Sequence, residues 1–257
     1  MRQRLRASLV LGLGLVVGGA GPDLEGIGYT QRLGMQVPAT LPLLDEAGHA
    51  TRFANLVDHK PTLLMLGYFA CPALCGVVRD DAFQALLDSG LRLPRDYSLV
   101  FVSIDPAERA RDAAAAKAAD LARYPLPNAG SGWHFATADA ASIERIEQAV
   151  GYHSRYDVSL KQFLHPAGLV VLTPDAIVSG YLLGVGYQPG AVVAALAQAR
   201  SGTIGQRAPS ILLLCFHYDP STGRYSLAIL KVLRLMGGLT LVLVLALLVL
   251  LHRRRPA

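Results

Sequence analysis

The chain has 257 residues, 52% of them hydrophobic and 17% charged, which is apolar for a protein wholly surrounded by water. Its formal charge of +5 comes from the ends: Arg2, Arg4, Arg6, Lys231, Arg234, Arg253, Arg254 and Arg255 are basic, while no Asp or Glu precedes Asp23 or follows Asp219. The stretch between them is mildly acidic, so nucleic-acid binding loses its main support and the basicity reads as a membrane-topology signal.

Residues 1–20 place three arginines before an apolar run, Leu9 to Val17, and then Gly18, Gly19 and Ala20. That is the layout of a secretory signal peptide, the other reading being an uncleaved N-terminal anchor. Residues 21–36 carry Gly, Pro and little periodicity and are expected to form a tether.

A domain over 37–200 follows. A strand is expected near Pro38 to Leu44, and Asp45-Glu46-Ala47-Gly48 supplies turn chemistry for a hairpin with Ala50 to Phe53. Phe53 to Asp58 reads as a short helical turn. Thr62 to Phe69 and Ser98 to Ile104 are continuous apolar runs of strand length, the mark of strands buried on both faces. Between them Val78, Ala82, Ala85 and Leu86 keep helical spacing over Val77 to Leu87, so the three segments form a βαβ unit with parallel strands. Asp105-Pro106 closes the second strand, and the alanine-rich stretch from Ala107 to Tyr124 predicts a helix stopped by Pro125 and Pro127. Trp133 to Thr137 reads as a short strand, and Asp139 can cap a helix from Ala140 to about Gly151. Gly168 to Leu172 and Ile177 to Leu183 flank Thr173-Pro174-Asp175 as a hairpin, and Pro189 opens a last helix to Arg200. The sum is an α/β domain: one mixed sheet flanked by helices.

Residues 201–226 read as a membrane-proximal linker, although Ile211 to Cys215 is apolar. Over 227–251 the uncharged run Leu235 to Leu251 predicts one C-terminal transmembrane helix. The basic tail, 252–257, would stay cytoplasmic under the positive-inside rule. The expected localisation is therefore a single-pass cell-membrane protein whose main domain is extracytoplasmic, on the periplasmic side.

Cys71-Pro72-Ala73-Leu74-Cys75 falls where the first parallel strand hands over to its helix, the usual place for functional groups in an α/β sheet. A thiol at a helix N-terminus is favoured as thiolate. Two cysteines four apart on a helix share a face, and can form a disulfide or clasp one soft metal ion. A purely structural disulfide is disfavoured, since such bridges gain most by closing long loops. Of seven histidines, His165 stands out by its place just ahead of the last hairpin, where a loop can lean over the cysteine turn. A surface or core histidine is the other reading. Cys215 has no assigned role; a third redox thiol, a ligand reaching a partner and a buried cysteine all fit it.

Val37-Pro38 with Leu44-Asp45 and Gly48, Gly67 to Cys75, Val102-Ser103-Ile104-Asp105-Pro106, and His165 before a strand-turn-strand together resemble the Sco/SenC family of cytochrome c oxidase assembly proteins, over roughly residues 34 to 200. The resemblance implies a thioredoxin-like fold and one copper ion, Cu(I) or Cu(II), held by Cys71, Cys75 and His165, with Asp105 as a conditional neighbour. The sequence departs from the family pattern at Gly76, at Leu164 and over Arg109 to Ala119.

The resemblance further implies a metallochaperone serving the dinuclear copper centre, CuA, of a cytochrome c oxidase subunit, with other periplasmic copper carriers as further partners. The alternative is a thiol-disulfide oxidoreductase in which the Cys71/Cys75 dithiol keeps the oxidase's copper-ligand cysteines reduced. A peroxidase is disfavoured, because so close a cysteine pair would trap itself as a disulfide.

Overall fold

The computed structural model describes residues 26–70, 75–126, 128, 130–208, 218–219, 224–225, 235–241 and 243–244. The expectations for 1–20, Cys71, Cys215 and 252–257 lie outside them.

The chain enters through Gly28–Tyr29 (β1) and makes a hairpin of Pro42–Asp45 (β2) and Ala50–Arg52 (β3). The Asp45 carboxylate accepts from the N–H groups of Ala47 at 2.9 Å and His49 at 2.8 Å, which fixes that turn. Phe53–Val57 (α1) leads to the expected βαβ unit: Thr62–Gly67 (β4), Cys75–Ser89 (α2) and Ser98–Ser103 (β5). Ala110–Arg123 (α3), Trp133–Thr137 (β6), Ala140–Val150 (α4) and Tyr152–His153 (β7) follow. Arg155–Asp157 (β8) and Gln162–Leu164 (β9) pair as a small hairpin, then come Gly168–Leu172 (β10), Val178–Leu183 (β11) and Pro189–Arg200 (α5). Tyr218–Asp219 (β12) and Arg224–Tyr225 (β13) form a separate two-stranded sheet among the described residues.

The main sheet has seven strands in the order β11-β10-β4-β5-β6-β2-β3. Its centre, β4, β5 and β6, is parallel, and the strands outside it are antiparallel. All six residues of β4 and all six of β5 are buried, as an unbroken apolar run in a parallel sheet requires. Period-two alternation divides them between two cores. Leu63, Met65, Leu99 and Phe101 face Ala82, Phe83 and Leu86 of α2 and Val192 and Leu196 of α5. Leu64, Leu66, Val100 and Val102 face Leu56 and Val57 of α1 and Ile143, Ile146 and Val150 of α4. Each such side chain contributes about 1.5–3 kcal/mol by leaving water, and this burial carries the fold.

The helix α4 shows how local chemistry sets an element's bounds. Asp139 accepts from the Ser142 N–H at 2.7 Å at one end, and Gly151 ends the helix at φ 62°. A Cβ there would meet the Thr30 carbonyl oxygen at 1.8 Å, so both conformation and space demand glycine.

Several expectations need correction. The fold class expected here included a transmembrane helix, yet among the described residues no helix is long and apolar enough to cross a membrane. Of 227–251 only 235–241 and 243–244 are described, as helix. Residues 26–36, expected in a tether, lie against the domain: β1 pairs with β7, Tyr29 is buried, and Gln36 bridges to Ile177. The start of the expected linker also folds back, with Gly205 N–H on Ser179 O at 2.7 Å and Ala208 N–H on Gln31 Oε1 at 2.8 Å. The third helix begins at Ala110 rather than Ala107, because Asp105 holds Ala107 N–H at 2.8 Å in a turn, and Asp112 accepts from Arg109 N–H at 2.8 Å where the helix starts.

Two substitutions test these ends. Asp139→Ala lowers the unfolding free energy by about 1 kcal/mol, and Gly151→Ala lowers it further. Urea midpoints of the three proteins check the order; equal midpoints for wild type and Gly151→Ala would refute it.

Candidate functional site

The parallel register brings Gly67 of β4 beside Ser103 of β5. Both strands therefore end together, and the segments that leave them, Tyr68 to Ala70 and Ile104 to Glu108, share one edge of the sheet. The Ile104 N–H donates to Gly67 O at 2.8 Å and extends that contact by one residue.

His165 stands at the same edge. It follows β9 and is half-buried in the two-residue link to the buried Ala167. Its ring Cε1 lies 3.8 Å from where a Gly67 Cβ would be, so the imidazole sits over the last residue of β4, four positions before Cys71. Nδ1 lies 3.1 Å from Pro166 O. A carbonyl only accepts, so Nδ1 carries the proton of the neutral ring and the lone pair belongs to Nε2. Histidine that binds metal usually has its second nitrogen held in this way.

Aromatic side chains fix the ring. Tyr152 stacks on it at 6.4 Å between centroids, and Tyr68 meets it edge-on at 5.8 Å. The Tyr152 hydroxyl donates to Leu66 O at 3.1 Å, which ties that ring to β4, and Phe163 packs 5.7 Å from Tyr68. Gly67, Val78, Phe101, His165 and Gly168 line a small apolar cleft with about 10 Å³ of free space, roughly one water's need.

The helix α2 is described from Cys75 to Ser89. Cys71 lies outside the described residues. Asp105 is half-buried, and its Oδ1 accepts the Ala107 N–H in the turn already noted. Among the described residues no group of three or more His, Cys, Asp and Glu side chains is placed to hold a metal ion. His49 and His59 lie in turns around β2–β3 and α1, His134 lies on β6 and His153 on β7.

Residues that sequence reasoning missed complete the edge. The buried Glu108 carboxylate accepts from Phe69 N–H at 3.0 Å, Ala70 N–H at 2.9 Å and Ser103 Oγ–H at 2.6 Å. Its place two residues after Asp105-Pro106, between two strand ends, is the signal that could have found it. Tyr68 was visible within Gly67 to Cys75, but nothing local marks Tyr152, whose contact with β4 spans 86 positions.

One turn after Cys75, Arg79 holds its guanidinium 5.8 Å from the Phe101 ring centroid and 3.3 Å from Asp120 Oδ2. Burial pushes the Asp120 carboxyl up to about 6, against the lowering effect of Arg79, while Asp80 adds to the rise.

No protein-family profile and no curated protein sequence matches the chain. Solved structures do. A protein of Aquifex aeolicus VF5 assigned to electron transfer is 25% identical, with a TM-score of 0.58 over 66% of this chain and 95% of that one. ScoI of Arabidopsis thaliana, solved with copper bound, is 14% identical at a TM-score of 0.51, covering 63% of this chain and 96% of that one. BsSco, a member of the Sco family of cytochrome c oxidase assembly proteins and the subject of a disulfide switch, is 16% identical at 0.52, covering 66% and 95%.

The chain is thus a mixed α/β protein of the thioredoxin-like kind, with its candidate site at the carboxyl end of a central parallel strand. Its fold is that of the Sco/SenC proteins, which supports the resemblance carried by its motifs.

Asp120 gives a pH test of the packing behind the site. Its folded pKa of about 6 exceeds the ordinary 3.8, so the folded state binds this proton more tightly and stability declines as pH rises through that window. Asp120→Asn removes this contribution. The urea-midpoint difference, variant minus wild type, therefore rises between about pH 4 and 6 and is level above; a difference independent of pH would contradict the burial of this carboxyl.

Proposed function

We propose that the chain is a copper metallochaperone of the Sco/SenC type, taking one copper ion on Cys71, Cys75 and His165 and passing it on for assembly of the CuA centre of cytochrome c oxidase. The observation that supports this reading is the placement of His165 over Gly67, the last residue of the strand that precedes Cys71 and Cys75 in the sequence.

The donor set suits the cargo. Two thiolates and one imidazole are soft to intermediate ligands and match Cu(I), and the same thiols can pass to a disulfide when the metal leaves. Nε2 of His165 is the nitrogen that would bind, because Nδ1 faces Pro166 O. The stacked Tyr152 and edge-on Tyr68 hold the ring, so the third ligand is prepared in advance. The solved relative with copper bound supports copper over other soft metals.

A second reading has its own observation. Cys75 opens α2 in a thioredoxin-like sheet, a position suited to dithiol chemistry alone, and a related fold is described for a disulfide switch. In that case the chain reduces the oxidase's copper-ligand cysteines and His165 is dispensable.

Anaerobic Cu(I) titration of the purified full chain separates the two. The metallochaperone reading expects one copper per chain, with binding lost in Cys71→Ser and weakened at least about tenfold in His165→Ala, the loss of one ligand being worth more than about 1.4 kcal/mol. Unchanged affinity in both variants would sink it. Full activity of His165→Ala in reducing an oxidised CuA-subunit cysteine pair, with loss in Cys71→Ser, selects the reductase.

A further inference from the structure

Resting on the reading of His165 as the third copper ligand, we propose that Tyr29 is a positioning residue for its imidazole. Tyr29 comes from a segment outside the main sheet and braces both supports of that ring, the stacked Tyr152 and the backbone that runs from Pro166 to Gly168.

The first brace is aromatic. Tyr29 stands opposite Tyr152 in the β1–β7 pairing, and the two rings meet edge-on, 5.3 Å between centroids and 79° apart. Tyr152 in turn lies stacked on His165 at 6.4 Å. The positive edge of one ring is drawn to the negative face of the other, so the contact sets an orientation as well as a place.

The second brace is on the link that follows His165. The Tyr29 hydroxyl donates to Gly168 O at 3.3 Å, across 139 positions. A Cβ on Gly168 would stand 3.1 Å from Tyr29 Cε2, so the phenol ring rests on that backbone. Gly168 opens β10 two residues after Pro166, whose carbonyl holds Nδ1 of His165. One side chain thus steadies the ring that fixes the imidazole's plane and the segment whose carbonyl fixes its tautomer.

Tyr29 is itself held firmly enough to do this. Thr30 N–H donates to Gly151 O at 2.7 Å, Arg32 N–H donates to the Tyr181 hydroxyl at 2.8 Å, and that hydroxyl donates to Val150 O at 2.9 Å. The Tyr181 ring packs 5.5 Å from Tyr29. These bonds fasten the segment to the end of α4. A residue that only filled the core would need no hydroxyl, since burying one costs free energy unless it is bonded. This one is spent on the segment next to His165. A ligand held in place loses less freedom on binding than one the ion must order, so removing the brace weakens copper binding.

The test uses the full chain, first free of copper and then with Cu(I), as wild type, Tyr29→Phe and Tyr29→Leu. Leu56→Ala, which empties part of the same core at α1, is the control for general loosening. NMR of the copper-free wild type is expected to show the His165 Cε1 proton in contact with the Gly67 α-protons, and a neutral ring protonated on Nδ1. Tyr29→Leu is expected to lose that contact and to show both tautomers, while Tyr29→Phe and Leu56→Ala retain it. Cu(I) affinity is expected to fall about tenfold in Tyr29→Leu and to stay near wild type in Leu56→Ala. An unmoved His165 ring in Tyr29→Leu would overturn the proposal, and so would an equal change in Leu56→Ala. The wild type alone gives a measure that needs no variant to fold: Tyr29 ring protons are expected in contact with the Tyr152 ring and the Gly168 α-protons, and their absence would also overturn it. Because the ring signals are read without copper, a wild type that takes up no Cu(I) rejects the copper reading while the ring signals still decide this one.

Discussion

The parallel pairing of β4 with β5 is the constraint on which the rest depends. Its register, from Thr62 beside Ser98 to Gly67 beside Ser103, is held by burial on both faces: a slip by one residue would exchange the side chains of the two cores. With the register set, the segment leading to Cys71 and the Ser103-Ile104-Asp105-Pro106 turn must emerge side by side. Everything chemically distinctive about the molecule is built on that shared edge. Helices on both faces leave this end as the open one, which is where a parallel sheet usually places its working groups.

The edge is polar within an apolar surround, and its polar groups are paired with one another. The Tyr152 hydroxyl takes the Leu66 carbonyl, Ile104 N–H takes the Gly67 carbonyl, and Glu108 takes the two N–H groups that leave β4. An unpaired buried group of this kind costs about 1–3 kcal/mol, so each partner restrains the other. This explains why a loop next to the strand end can keep one shape although its residues Phe69 and Ala70 have no regular secondary structure.

Legibility in the sequence follows interaction range. Thr62 to Phe69 and Ser98 to Ile104 announce themselves because burial on both faces leaves no charged residue in either run. The helix α4 is readable at both ends, from Asp139 and Gly151. The hairpin β8–β9 is not, because each strand has three residues and its turn depends on Asp157 Oδ1 accepting from Ser159 N–H at 2.8 Å and Leu160 N–H at 3.1 Å, with Lys161 at φ 52°. Period-two patterning needs more residues than that. Residues 26–36 read as a tether because their partners, β7 and Ile177, lie far along the chain. Of the site, the Cys71-to-Cys75 spacing and Ser103 to Pro106 are local signals, whereas the contacts of Tyr152 and Glu108 are made across the fold.

The two halves of the site are held by different means, and that bears on what the site can do. His165 is set by aromatic packing: Tyr152 behind it, Tyr68 beside it, and a line of rings from the exposed Tyr156 through Phe163, 5.1 Å and then 5.7 Å apart, to Tyr68. The Phe69-Ala70 segment is set by Glu108 and the end of β5. Dithiol chemistry needs only the second arrangement, whereas a three-ligand metal site needs both in register. The packing of Tyr152 and Tyr68 on the imidazole is required by the proposed three-ligand reading and not by the dithiol reading. It has an evident use where that imidazole must meet an ion that two thiolates alone would hold incompletely.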